Sequence, residues 1–266
     1  MDWNTFLSLW SWDPSIIAGS VLLEALYLYF ARSATRGQKA LFTSGVLVMF
    51  VALESPLETL GDTYLFSAHM LQHLLLILIV PPLLLSGMPA DLMETILRIP
   101  SLRRIESKIG NPIVAWFTGA ITLWAWHLPV FYNATLANEN IHILEHLTFL
   151  VTGTIFWWPM LAPIERLRLS PIWTVPYMFA GAASNSILGI ILTFANPGLY
   201  PAYLHPEDPY GILNLIRNVW GLTVVADQQY GGLLMWIPGG LVYTLAALGG
   251  LARWYGAPEE DLHLKS

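Results

Sequence analysis

Five of the seven histidines fall into a pattern that can do chemistry: the pairs His69/His73 and His142/His146, each spaced H-x-x-x-H, and His127 between them in the chain. Four residues turn an α-helix by about 400°, so the two imidazoles of a pair share one face about 6 Å apart along the axis. Each helix then offers two nitrogen donors together, and neutral imidazole is the commonest protein metal ligand. Asp227 and Gln228 open the last apolar stretch and add a carboxylate and an amide. The chain has no cysteine, which excludes thiolate ligation and thiol redox chemistry and leaves His, Asp, Glu and Met as ligands. Imidazole with carboxylate suits copper, zinc or iron, and divalent copper binds most tightly at a given N/O site, so copper leads. The expected metal ligands are His69, His73, His127, His142, His146 and Asp227, with Gln72, Glu145 or Gln228 orienting imidazole N–H groups. Two other readings use the same residues. One histidine from each pair would suffice as the axial ligands of a haem, giving a b-type electron-transfer protein. Alternatively the histidines are hydrogen-bonding glue between helices in a metal-free scaffold.

The elements that must position these side chains are membrane helices. Of 266 residues 55% are hydrophobic and only 11% charged, about half the charge of a soluble domain. A bilayer core of roughly 30 Å needs about 20 apolar residues per helix, and seven stretches approach that: 15–31, 41–57, 64–86, 112–130, 142–161, 174–195 and 231–253. Unpaired backbone groups are too costly in lipid for spans of this length to be anything but helical. The expected fold is therefore all-α, a polytopic bundle of seven transmembrane helices in a single domain, residues 1–266, with a short cytoplasmic tail from about 254.

Orientation follows from the cations. Arg32, Arg36, Lys39, Arg98, Arg103, Arg104, Lys108, Arg166, Arg168, Arg253 and Lys265 fall on one side of these spans and Arg217 alone on the other. The positive-inside rule reads this as N-terminus outside and C-terminus cytoplasmic. It puts the five patterned histidines at outer helix ends, with His205 and His263 in a loop and the tail. Trp3, Trp10, Trp12, Trp124 and Trp126 are expected at the outer interface, and Trp157, Trp158, Trp173 and Trp254 at the inner one. The first apolar run lacks a basic n-region and a small-residue cleavage site, so it reads as an uncleaved helix.

A net charge of −6 without a basic stripe excludes nucleic-acid binding. No nucleophile with a base, phosphate loop or nucleotide motif is present, so the protein is not expected to be an enzyme. Glu24, inside the first span, would serve proton or ion movement or pair with Asn185 or Ser184, and the structural pairing is favoured. Pro81 and Pro82 should kink the third helix, and the run from Ala180 to Ser184 marks a close helix contact. Glu54, Glu58 and Asp62 make the outer end of the second hairpin acidic, which could attract a cation but reads more simply as a solvated rim, and residues 196–230 read as an outer cap.

Three segments carry a family likeness: FSAHMLQHLLLILIVPPLLLSGMP (Phe66 to Pro89), WHLPVFYNATLANENIHILEHLTFLVTGTIFWWP (Trp126 to Pro159) and ADQQYGGLLMWIPGG (Ala226 to Gly240). Together they resemble the multi-span CtaG family of bacterial cytochrome c oxidase assembly factors, over about residues 10–255. The single-span copper chaperone that shares the name has cysteine ligands and a soluble domain, and this chain has neither. The resemblance implies a multi-pass protein of the bacterial plasma membrane that helps mature an aa-type haem-copper oxidase, with oxidase subunits as partners and copper as cargo. By motif it implies His69 and His73 in H-M-x-x-H, His127 in W-H-L-P, His142 and His146 in H-x-x-E-H, and Asp227 with Gln228 in D-Q-Q.

Overall fold

The computed structural model describes residues 3–256, and these form an all-helical bundle with no strand among them. His263 and Lys265 lie outside the described residues. In chain order the helices are α1 (Trp3–Ser8), α2 (Pro14–Phe30), α3 (Arg36–Glu54), α4 (Pro56–Thr63), α5 (Phe66–Leu74), α6 (Val80–Gly87), α7 (Ala90–Ile96), α8 (Pro100–Ile109), α9 (Pro112–Trp126), α10 (Pro129–Ala137), α11 (Glu139–Leu161), α12 (Pro171–Phe194) and α13 (Val224–Tyr255). Four units are long and apolar enough to cross a membrane: α3, the continuous α5–α6 element, α12 and α13. A fifth is α9 with α10, if that bent pair is one span, and α2 is a shorter apolar helix.

The element α5–α6 is the axis of the bundle. In its most apolar window 56% of the residues are buried, against 33% for α3 and α12 and 28% for α13. It packs on α3, α4, α11 and α13. Pro81 and Pro82, where a kink was expected, follow closely on a π-turn at Leu75–Ile79. Pro81 leaves the carbonyl four residues back without its usual donor, and the indole N–H of Trp157 donates to that oxygen, on Ile77, at 2.9 Å.

Three boundaries depart from the expected spans. The stretch 41–57 stops at Glu54, because Ser55 is extended and caps a new short helix at Pro56. The stretch 112–130 breaks at Trp126, and α10 leaves at 69°. The residue before a proline avoids the α region, and Leu128, preceding Pro129, is extended (φ −66°, ψ 135°). The last helix starts at Val224, seven residues earlier than expected, on a Thr223 side chain that accepts from the Ala226 N–H.

The close contact expected at Ala180–Ser184 belongs to a longer seam. Gly181 faces the rings of Phe156 and Tyr243. Further along, α12 and α13 meet at Gly189 and Gly232: a β-carbon on Gly232 would lie 2.7 Å from the Gly189 carbonyl oxygen, so only glycine permits this approach. Asn185 donates to the Met235 carbonyl across the same seam at 2.6 Å. Glu24 therefore pairs with neither Asn185 nor Ser184; it accepts from the Thr43 hydroxyl of α3 at 2.6 Å. Trp157 and Trp158 are not interfacial anchors, since both are buried in the core, where Trp158 donates to Glu106 at 3.2 Å. Trp124 and Trp126 also turn inward, donating to Ser184 and Thr148.

Candidate metal centre

Both histidine pairs are set at the same place in their helices, the fourth and eighth residues of α5 and of α11. The start of each helix is fixed by a side chain. Asn138 caps α11 by accepting from the N–H groups of Asn140 and Ile141. Asp227 does the same for α5 from another helix: its carboxylate accepts from the N–H of Phe66 at 2.8 Å, the N–H of Ser67 at 3.1 Å and the Ser67 hydroxyl at 2.5 Å. An anion at a helix N-terminus satisfies orphan donors and complements the dipole.

The four imidazoles face each other at one end of the bundle. Ring centroids are 5.4 Å apart for His69 and His142, 6.1 Å for His69 and His146, and 5.8 Å for His73 and His146. Glu145 sits among them with no exposed side chain, one oxygen 3.5 Å from His69 Nε2 and the other 3.6 Å from His73 Nε2. Ligand-type atoms of His69, His142, Glu145 and His146 all lie within 4.8 Å of one another, and all four residues are buried.

These separations decide what the arrangement can do. They exceed ordinary N–H···O hydrogen bonds of about 2.7–3.2 Å. Two ligands each about 2.0–2.2 Å from one tetrahedral ion stand roughly 3.3–3.6 Å apart. Both nitrogens of His69 and His73, Nε2 of His142 and His146, and both oxygens of Glu145 are buried without a hydrogen-bond partner. Buried polar atoms are satisfied as a rule, and an unpaired buried carboxylate is costly. The donor set therefore fits a cation coordinated by imidazole nitrogen and carboxylate oxygen.

The remaining expected ligands are placed differently. Both ring nitrogens of His127 are engaged, Nδ1 with the Leu123 carbonyl at 2.7 Å and Nε2 with Met70 Sδ at 3.3 Å. Asp227 is committed to capping α5. His73 borders the group through Glu145 without joining the four. The expected orienting amides do other work: Gln228 donates to the carbonyls of Leu192 and Ala195, and Gln72 donates to the Ala52 carbonyl and to Glu58.

Of the three acidic residues at this end, Glu54 is structural, and Glu58 and Asp62 lie beside the histidines and outside the group of four. Glu54 is completely buried and accepts from the Asp13 N–H at 3.0 Å. Glu58 and Asp62, on α4, face the histidines: Asp62 Oδ1 is 3.2 Å from His142 Nε2 and 3.6 Å from His69 Nδ1, and Glu58 Oε1 is 3.7 Å from His142 Nδ1. Burial first, then the Asp62 carboxylate, pushes the Glu58 carboxyl up to about 8. Gly61 allows this approach, since a β-carbon there would sit 3.0 Å from the backbone of His69. The signal available in the sequence was the four-residue step from Glu58 to Asp62, which puts both on one helical face.

A tyrosine layer and the 196–230 segment cover this end. Tyr132 lies 5.1 Å from the His69 ring and exchanges a hydrogen bond with Tyr203 at 2.9 Å. Tyr203 donates to the Gly61 carbonyl and Tyr200 to that of His127. Arg217 ties the segment down through the carbonyls of Leu222, Tyr64 and Tyr203. The hydroxyl of Tyr64, pushed up to about 12 by burial and by Asp208, donates to that carboxylate at 2.9 Å.

Fold and site thus define a helical bundle with several helices apolar and long enough to cross a membrane and a histidine–carboxylate cluster buried at one end. The chain belongs to the cytochrome c oxidase caa3 assembly factor family (Caa3_CtaG), whose model matches residues 25–257. Curated relatives include uncharacterised proteins of Mycobacterium bovis and Mycobacterium tuberculosis, each 24% identical over 98% of this chain, and of Mycobacterium leprae, 22% identical over 98%. The chain spans 42% of the length of these relatives. No solved structure matches it.

Proposed function

We propose that the protein holds copper at His69, His142, Glu145 and His146 on the extracytoplasmic side of the bacterial plasma membrane and passes it to a subunit of an aa-type haem-copper oxidase. The observation that carries this is that ligand-type atoms of these four buried residues lie within 4.8 Å of one another, with His69 Nε2 and Glu145 Oε2 3.5 Å apart and neither hydrogen-bonded, within a chain of the oxidase assembly family. Copper is favoured over zinc or iron because it binds N/O donors most tightly. A single ion is favoured over a haem because the imidazoles and Glu145 converge on one small space, whereas a porphyrin needs a flat slot between two axial rings.

In this reading α2, α3, α5–α6, α9–α10, α11, α12 and α13 are seven spans of one domain, with the N-terminus outside. The distribution of Lys and Arg supports that orientation. It turns the site toward the side where the cargo is handed over. The Asp227 cap and the tyrosine layer keep the donors in register, and His73 restrains Glu145 from the membrane side.

The test is metal analysis of detergent-purified protein alongside His69→Ala and His146→Ala. The reading expects close to one copper per chain in the parent and loss of most of it in each variant. Equal copper in all three, or none in any after loading, overturns it. A Soret band in the parent would replace copper with haem, and full oxidase maturation in cells carrying the copper-free variants would leave only a scaffold.

A further inference from the structure

Beside the inner group lies a second set of ligand-type atoms, on Glu58, Asp62 and His142, also within 4.8 Å of one another. His142 is common to both sets. Side-chain exposure falls in steps along this line: 37% for Asp62, 16% for Glu58, 7% for His142 and 0% for His69 and Glu145. The more exposed donors are the carboxylates Asp62 and Glu58, and three of the four inner donors are imidazoles. Gln72 holds Oε2 of Glu58, which leaves Oε1 facing His142. On the other side of the ring His142 Nε2 and Asp62 Oδ1 are both buried without hydrogen-bond partners. The cluster is therefore more than acidic groups on a surface: an imidazole more than nine-tenths buried points an unpartnered nitrogen into it.

A hydrated divalent cation cannot shed its water in one step without a large cost, and carboxylate oxygens are the ligands that replace water most evenly. A graded path, carboxylates where water still reaches and imidazoles where it does not, lowers that cost. We propose that Glu58, Asp62 and His142 form an outer loading site for a divalent metal cation, from which the ion passes to the inner group, with His142 as the shared ligand. This rests on the proposed metal-holding role of the inner group and adds its route of entry. Asp62 also approaches His69, so the ion moves between two sites that share a wall. Asp62, 37% exposed on α4, makes that side the wet approach. In this proposal His142 hands the ion over through one ring nitrogen used in both sites, so a single ion is held at a time.

The experiment uses the full chain in nanodiscs of uncharged lipid, with Cu(II) chloride as the probe and freeze-quench EPR as the readout. The parent is compared with Asp62→Asn and the double variant Glu58→Gln/Asp62→Asn. The loading site predicts that uptake and chelator-driven release both slow at least tenfold in the double variant, while the equilibrium affinity stays within about threefold and one Cu(II) is bound at saturation. It also predicts that the parent's uptake slows with added salt and that the double variant loses most of that dependence, as expected when charges steer an ion. The salt series on the parent stands even if the double variant folds poorly. Uptake unchanged in the variants with normal parental binding overturns the loading site alone. Loss of affinity with unchanged uptake makes the two carboxylates ligands of the inner site and also overturns it, as do two Cu(II) ions bound at once. A parent that takes up no Cu(II) overturns this inference and the metal-holding reading together.

Discussion

Two helix pairs that bring buried polar side chains together, α5 with α11 and α12 with α13, treat them in opposite ways. Along α12 and α13, Asn185, Thr193 and Gln228 each hydrogen-bond a backbone carbonyl, and glycines let the backbones touch. Between α5 and α11, His69, His73, Glu145 and His146 lie side by side with buried atoms that make no hydrogen bond. Both seams are buried and both are polar. The difference teaches that burial of a polar residue says little by itself; whether its hydrogen-bonding capacity is already used separates helix glue from a site.

This contrast can be broken by substitutions on each side. The largest effect is expected for His146→Ala, which should weaken copper binding at least about 100-fold, more than the 10–100-fold typical of losing a residue that supports a ligand, measured by competition with a chelator. Gly232→Ala should lower stability by about 1–3 kcal/mol through overpacking, because its new β-carbon meets Thr193 and Gly189, yet leave one copper per folded chain; thermal unfolding with metal analysis checks both. Asp227→Ala removes the cap of α5 and should lower stability by about 1–2 kcal/mol, again with copper retained. If it instead lost copper as His146→Ala does, Asp227 would be a ligand and the division of roles drawn here would fail. The smallest effect is expected for His127→Gln, whose parent ring already uses both nitrogens: copper affinity should change less than about threefold in the same competition assay, well under the loss typical of a supporting residue.

How far the sequence could be read depends on whether a feature is local. The two H-x-x-x-H pairs set their rings on one helical face whatever the neighbours do, and their meeting followed from helices that begin at the same end. The helical class followed from composition alone. What the sequence did not reveal depends on partners remote in the chain. Asp227 resembles a ligand until Phe66 and Ser67, some 160 residues away, are seen to occupy it. Glu58 and Asp62 resemble a rim until Gly61 is seen to let α4 lie against His69. Trp157 resembles an anchor until Pro81 is seen to free a carbonyl for its indole. The break after Trp126 is local, and the Leu128–Pro129 step carried the signal for it.

The central claim is that imidazoles from α5 and α11 and the Glu145 carboxylate share one ion. X-ray absorption at the copper edge of the loaded protein measures that most directly. The account predicts a first shell of nitrogen and oxygen at about 2.0 Å with outer-shell scattering from two to three imidazoles and no sulfur, and fewer imidazoles in His146→Ala. A spectrum without imidazole scattering, or one identical in parent and variant, would contradict it.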